Sequence, residues 1–357
     1  MTETSHRSAW AMLLVLIGAF ALSQAFRSIA AIMAPPLQQA FGLTPQALGV
    51  FAGSFHFAFG SLQLFIGMGL DAYGPRRTVL AVFPLAIVGA VVTGLAPSYG
   101  WLVAGQVLTG IGCAPAFLAC TVFIARRFAP DRFAPVNGMA MGIGSIGLLA
   151  TGTPLAWVIE VWSWRAGFLL LAGCAALAWL AIWRLVRDEP PAPGSPPPRL
   201  DVVAALRGYA ALFRLPHTLG IVGLALFTYA SFMSLRGLWL GPLLIDRHGF
   251  SLVQSGHVAL AISATGIVAP PLFGRLDPGE RTRRRWIVGF TLACGALFLL
   301  MAFQPGAWVE VAAALLIGVL SGFITMQYAD VRAAYPPQMT GRAMAVFTMA
   351  MFLGVAL

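Results

Sequence analysis

Apolar residues in this 357-residue chain do not alternate with polar ones as in a half-buried strand or an amphipathic helix; they gather in blocks of about 20. Eleven blocks begin near Trp10, Ala47, Val79, Trp101, Val136, Gly167, Thr218, Val253, Trp286, Val309 and Ala343. About 20 residues of helix, rising roughly 1.5 Å each, cross the hydrocarbon core of a bilayer. Lipid offers backbone N–H and C=O groups no partner, so each block is expected to be a helix that satisfies them internally. The pattern predicts an all-α membrane protein. The first block is too long for a cleaved leader and lacks a small-residue cleavage site followed by a soluble domain.

Composition agrees: 59% of residues are hydrophobic and 10% charged, against about a quarter charged in a soluble domain. Charge then sets orientation. The chain has no lysine, and all 22 basic residues are arginine. Eighteen lie before the first block or in alternate connections: Arg7; Arg76 and Arg77; Arg126, Arg127 and Arg132; Arg184, Arg187, Arg199, Arg207 and Arg214; Arg275, Arg281, Arg283, Arg284 and Arg285; Arg332 and Arg342. The opposite connections hold only Arg165 and Arg247. The positive-inside rule therefore predicts a multi-pass protein of the cell membrane, a bacterial inner membrane, with a cytoplasmic N-terminus. The net charge of +10 follows from this bias. Spread over short loops, it is not the footprint of a nucleic-acid binder. Cys113, Cys120, Cys174 and Cys294 all fall inside apolar blocks without a CxxC pair, which reads as small buried hydrophobes rather than a disulfide or zinc site.

One segment divides the chain. "RDEPPAPGSPPPRLD", Arg187 to Asp201, is Pro-rich and polar, the composition of a semi-rigid spacer. The domains expected are a six-helix bundle over 1–186, a cytoplasmic linker over 187–214 and an incomplete second bundle of about five helices over 215–357. The two sides repeat. "GLTPQALG" (Gly42 to Gly49) resembles "GFSLVQSG" (Gly249 to Gly256), 207 positions on. Asp71 and Asp277 each end a block ahead of an Arg-rich loop, and "RRFAP" from Arg126 is matched by "RAAYP" from Arg332, both 206 apart. A nearly constant offset points to duplication into parallel halves. Shifting the end of the sixth block by that offset passes beyond Leu357, so the sequence is expected to lack the end of the eleventh helix and a twelfth.

"GMGLDAYGPRR", Gly67 to Arg77, between the second and third blocks, resembles the signature loop of the major facilitator superfamily. Gly67, Asp71, Gly74 and Arg76 fall on that motif's glycine, aspartate, second glycine and basic positions, with Arg77 following; Ala72 and Pro75 depart from it. The resemblance implies two pseudo-symmetric six-helix bundles around a central cavity. It also implies that Asp71 latches the gating loop across the bundle interface near the start of helix eleven, with Asp277 at the repeat-related position. The alternative is a carboxylate paired with Arg76 or Arg77. Gly74 and Pro75 suit a tight turn. "GQVLTGIG", Gly105 to Gly112, resembles the family's helix-four motif, with Gln106 where arginine is usual. "GIGSIGLLATGTP", Gly142 to Pro154, loosely resembles the helix five of antiporters, though its small residues equally serve close helix packing.

Two arginines lie deep inside apolar blocks: Arg27 in the first and Arg236 in the seventh, 209 positions apart. A charge at such depth is costly unless it faces a cavity or a partner. Asp71, Asp277 and Asp330 lie at one end of their blocks, and Glu160, Asp246 and Glu310 at the other, so no carboxylate shares that depth. An anionic substrate would supply the counter-charge, and a guanidinium fork suits carboxylate or phosphate. Paired arginines on helices one and seven resemble the organophosphate and organic-anion carriers, although Phe26 stands where proton-coupled relatives carry aspartate. Both arginines snorkelling to the interface is the structural alternative. Ser23 and Gln24 share the face of Arg27 at i−4 and i−3, and Tyr229 lies two turns before Arg236. These are candidate liners, together with His56 and Gln63 on one face of helix two.

No phosphate-cradling Gly-Lys loop, zinc spacing or supported Ser/His/Asp set is present, so neither an enzyme nor an ATP-driven pump is expected. The leading expectation is a secondary active transporter of a small anionic solute, working by alternating access. A drug or metabolite exporter with an apolar cavity, or a non-transporting sensor on the same fold, are the alternatives. The expected partners are the anionic solute and the lipid bilayer, with no nucleic acid, cofactor or metal, and the chain is expected to be monomeric.

Overall fold

The computed structural model describes residues 3–151, 153–188, 202–236, 240, 242–250 and 252–356. The described residues are almost entirely helical, with no strand among them. The first span is α1 (Glu3–Phe41), which runs on past Ala34 through Pro35 and Pro36. α2 (Pro45–Ser61) begins on a Thr44 cap, whose hydroxyl accepts from the Ala47 amide at 3.2 Å, with Pro45 as the first helical residue. That is the order in which a cap and a donorless residue satisfy a helix start.

α3 (Gln63–Val82) is two helices in sequence. At Gly74 the backbone has φ 83° and ψ 169°, a conformation favouring glycine. On one side of it Arg126 Nη2 donates to the Leu70 carbonyl at 3.0 Å. On the other, Arg76 Nη2 donates to Trp183 O at 2.7 Å and Trp179 Nε1 to Leu80 O at 3.1 Å. The chain therefore reverses at Gly74, closing the second span and starting the third, which α4 (Pro84–Gly94) continues. α5 (Tyr99–Cys113) and α6 (Pro115–Arg127) form the fourth span. Pro84 and Pro115 each open a new helix where an amide donor is missing. The fifth span is broken into α7 (Phe133–Gly144), α8 (Ile146–Ala150) and α9 (Thr153–Val161). α10 (Trp164–Leu185), capped by Ser163, is the sixth.

α11 (Val202–Phe213) belongs to the segment read as linker. It is amphipathic and docked: Leu212 and Tyr209 are buried, and Tyr209 donates to the Leu64 carbonyl. The rest of the spacer, 189–201, lies outside the described residues. α12 (Pro216–Ser234), α13 (Leu252–Arg275), α14 (Glu280–Ala302), α15 (Ala307–Leu320) with α16 (Ile324–Ala334), and α17 (Thr340–Ala356) are the described helices of the second bundle. Nine stretches of the described residues are long and apolar enough to cross a membrane. With the reversal inside α3 and the shorter α2 and α17, these elements correspond to the eleven apolar blocks.

Small residues join the bundles along two matching seams. In one, a Cβ on Gly67 would lie 2.5 Å from Ala345 Cβ and 3.2 Å from Gly341 O, so α3 and α17 touch almost backbone to backbone. In the other, a Cβ on Gly274 of α13 would meet Ala134 O at 2.6 Å, and one on Gly138 of α7 would meet Pro270 O at 2.3 Å. Gly67 and Gly274 are 207 positions apart, so the seams obey the sequence repeat. Close approach through glycine replaces the hydrophobic driving force that lipid removes.

Candidate functional site

Between the bundles lies a cavity of about 110 Å³. Arg27 and Gln24 reach it from α1, Tyr229 and Thr228 from α12, and Gln327 from α16. Arg236 reaches it from just beyond the end of α12, where the chain continues in a wider, π-type turn. Turns of that kind re-aim side chains at functional positions.

Arg27 Nη1 donates to the Tyr229 hydroxyl at 3.0 Å, a hydrogen bond from one bundle to the other. Its guanidinium also lies over the rings of Phe352, at 4.5 Å, and Phe59, at 5.1 Å. Ring faces give partial compensation for a cation, yet Arg27 Nε is buried with no hydrogen-bond partner. Arg236 Nη2 donates to Ser263 Oγ at 2.7 Å, and Ser263 Oγ to the Ala259 carbonyl at 2.7 Å. Among the described residues, no carboxylate lies within ion-pair distance of either arginine. Two cations thus share one cavity with only neutral partners.

A second group of contacts lies between the bundles at their arginine-rich end. Asp71 Oδ2 lies 3.4 Å from Arg342 Nε on α17, and Oδ1 lies 4.0 Å from Arg126 Nη2. A Cβ on Gly341 would fall 2.0 Å from Asp71 Oδ1, so the carboxylate sits against the first turn of α17. The positive end of a helix dipole favours an anion there. Arg332 also crosses between bundles, donating to Ala125 O at 2.9 Å and stacking 4.6 Å from the Phe133 ring. Arg76 and Arg77 do not pair with Asp71. Their amides donate to the Asp188 carboxylate at 2.9 and 3.2 Å, and a Cβ on Gly74 would lie 2.9 Å from Asp188 Cγ. Asp277 stays in its own bundle, bound by Arg283 at 2.7 and 2.8 Å and by the Gly279 amide at 3.2 Å.

A family model described as Major Facilitator Superfamily matches residues 15–357. The chain belongs to this superfamily. Among its similar superfamily proteins, the probable sulfoacetate transporter SauU of Cupriavidus necator is 24% identical over 69% of this chain and 59% of its own length. The hexuronate transporter of Bacillus subtilis is 23% identical over 66% of this chain and 56% of its own length. The chain thus spans less than two thirds of the length of these curated relatives. The solved structure of the E. coli fucose:proton symporter FucP superposes with a TM-score of 0.75 at 16% identity, covering 96% of this chain and 88% of that one, a likeness of fold.

Within this superfamily fold, Gln24, Arg27, Tyr229 and Arg236 meet at the cavity, and Ser23, His56 and Gln63 do not line it. Ser23 is buried and turned toward the Cys113 carbonyl. His56 Nδ1 meets its own helix at Ala52 O, 3.1 Å away. Gln63 is fully buried and donates to Phe59 O and Ala114 O, both at 3.2 Å. The polar cavity residues that sequence reasoning missed are Ser145, Thr228, Ser263, Ser321 and Gln327, and most of the apolar wall was missed as well. Gln327, in "ITMQYAD", is a carboxamide inside an apolar block, a signal available in the sequence.

Proposed function

We propose that the protein is a secondary active transporter of a small anionic solute, with Arg27 and Arg236 as the anion-binding pair. The observation that carries this reading is the presence of two guanidinium groups, one from each bundle, on one cavity with no carboxylate of the described residues in reach. An anion restores the balance and can be held by charge-assisted bonds from both sides. The names of the sulfoacetate and hexuronate transporters fit this reading. Much of the wall is apolar, and it is the two guanidinium groups set into it that favour this reading over an exporter with an apolar cavity. The two glycine seams support alternating access, as do the contacts that Asp71, Arg342 and Arg332 make between the bundles at the arginine-rich end. By the arginine bias, that end is cytoplasmic.

The test is the melting temperature of the purified protein across a panel of carboxylates, sulfonates and phosphates. A ligand that binds only the folded state stabilises it by about 2.7 kcal/mol at a hundred times its Kd. Arg27→Ala and Arg236→Ala are expected to lose that response and to remain folded without ligand, because an unpaired buried charge is removed. Arg27→Lys should restore it poorly, since a point charge lacks the fork. Equal anion-induced shifts in parent and alanine variants would overturn the assignment and favour snorkelling arginines.

A further inference from the structure

Beside the two cations, two glutamines of the cavity wall each carry a buried carboxamide oxygen with no hydrogen-bond partner among the described residues. Gln327 is 3% exposed, and its Oε1 is buried without a hydrogen-bond partner. The orientation of this carboxamide is fixed by its neighbour. Thr228 Oγ1 donates its single proton to the Leu224 carbonyl at 2.8 Å. It can therefore only accept from Gln327, whose Nε2 lies 3.3 Å away. The amino group of Gln327 must face Thr228, and its carbonyl oxygen must face elsewhere. On the opposite wall, Gln24 Oε1 is likewise buried without a partner, three residues before Arg27 on the same face of α1.

Two neutral acceptors next to two cations specify a ligand with both an anionic group and hydrogen-bond donors. An ammonium donor is disfavoured, because it would enter a cavity that already holds two guanidinium groups and has no carboxylate in reach. Hydroxyl groups meet both demands. Resting on the anion-site reading above, we infer that the solute is a hydroxylated anion, a hydroxy acid or sugar acid, and that Gln327 and Gln24 accept hydrogen bonds from its hydroxyl groups.

The experiment compares three six-carbon probes on the full chain in detergent: gluconate (charged, hydroxylated), hexanoate (charged, without hydroxyls) and sorbitol (hydroxylated, neutral). The readout is the concentration giving half the maximal rise in melting temperature. Gluconate is expected to act at a concentration at least about tenfold lower than hexanoate in the parent, and Gln327→Leu to shrink that preference by about five- to tenfold, the worth of one neutral hydrogen bond. The variant should therefore weaken the gluconate response more than the hexanoate response. Gln24→Leu probes the opposite wall in the same way and decides the matter if Gln327→Leu does not fold. Equal responses to gluconate and hexanoate, no gluconate response at all, or a preference untouched by the glutamine variants would overturn the inference. If hexanoate and gluconate act equally and Arg27→Ala abolishes both, the anion site stands and hydroxyl recognition falls. If sorbitol matches gluconate and Gln327→Leu weakens both, hydroxyl recognition stands and the anion site falls.

Discussion

Gly67→Ala is the sharpest test of the seam between α3 and α17 as a gate at the arginine-rich end. The added Cβ would sit 2.5 Å from Ala345 Cβ, 2.9 Å from the Tyr209 hydroxyl and 3.2 Å from Gly341 O. Carbon atoms rest at roughly 3.5–4.0 Å, so α3 and α17 must separate locally by about 1–1.5 Å. Overpacking of this size costs about 1–3 kcal/mol. In a two-state carrier the cost falls only on the state in which this seam is closed, so the population of the other state should rise about 5- to 150-fold. The assay is the labelling rate of a Ser145→Cys reporter on the cavity wall, in a background free of native cysteines, by an impermeant thiol reagent applied from the arginine-rich face. Gly67→Ala should accelerate labelling by that factor. Adding Ala345→Gly removes the nearest clash and should recover much of the parent rate. An unchanged rate in Gly67→Ala, or no recovery in the double variant, would refute the steric argument.

Other outcomes follow from the same contacts. Asp71→Asn should also speed labelling of the reporter, since Asp71 bridges the bundles. Asp277→Asn should instead lower stability, by roughly 3–5 kcal/mol for a broken buried pair, without changing the labelling rate, because its partner Arg283 is 9% exposed and lies in the same bundle. Burial pushes the Tyr209 phenol up from its ordinary value, with the nearby Asp71 charge adding to the effect. A raised folded-state value confers stability below the ordinary phenol range that is lost as pH rises above it. The melting temperature of the parent should therefore fall more steeply above about pH 10 than that of Tyr209→Phe. For orientation, a cysteine placed at Gly194 should escape an impermeant reagent in intact cells and one placed at Pro97 should react; the reverse would invert the topology.

The sequence carried the membrane architecture further than the site. Blocks of about 20 apolar residues survive the transition to helices because lipid leaves the backbone no alternative. Of the seam glycines, Gly67 is marked by the signature loop, whereas Gly138 and Gly274 carry no signal that the sequence reading used. Facing was harder. Ser23 and Gln24 are neighbours on α1, yet one turns to the Cys113 carbonyl and the other to the cavity. A rotation of about 100° per residue separates them, and only the packing of α1 on α5 decides which side is inward. Gln63 and His56 are turned to backbone carbonyls within or between helices of one bundle, a use that their sequence context does not distinguish from cavity lining. The helix at Val202–Phe213 was hidden because a Pro-rich stretch precedes it and its apolar face is shorter than a span.

The hydrogen bond from Arg27 to Tyr229 has a thermodynamic consequence. The N–H that spans the halves belongs to a group proposed to hold the cargo, so that proton cannot serve both at once. A solute that draws Arg27 away from Tyr229 loosens one tie between the bundles at the moment of loading. Reciprocity then requires that parting the halves by other means, such as a bulkier seam residue, alters affinity for the solute by the same free energy. The worth of one charge-assisted hydrogen bond, about 1.5–3 kcal/mol, caps that exchange. In the proposed carrier, loading alone therefore biases the equilibrium between its two states by at most roughly 10- to 150-fold through this contact, and any steeper dependence of transport on solute must arise elsewhere.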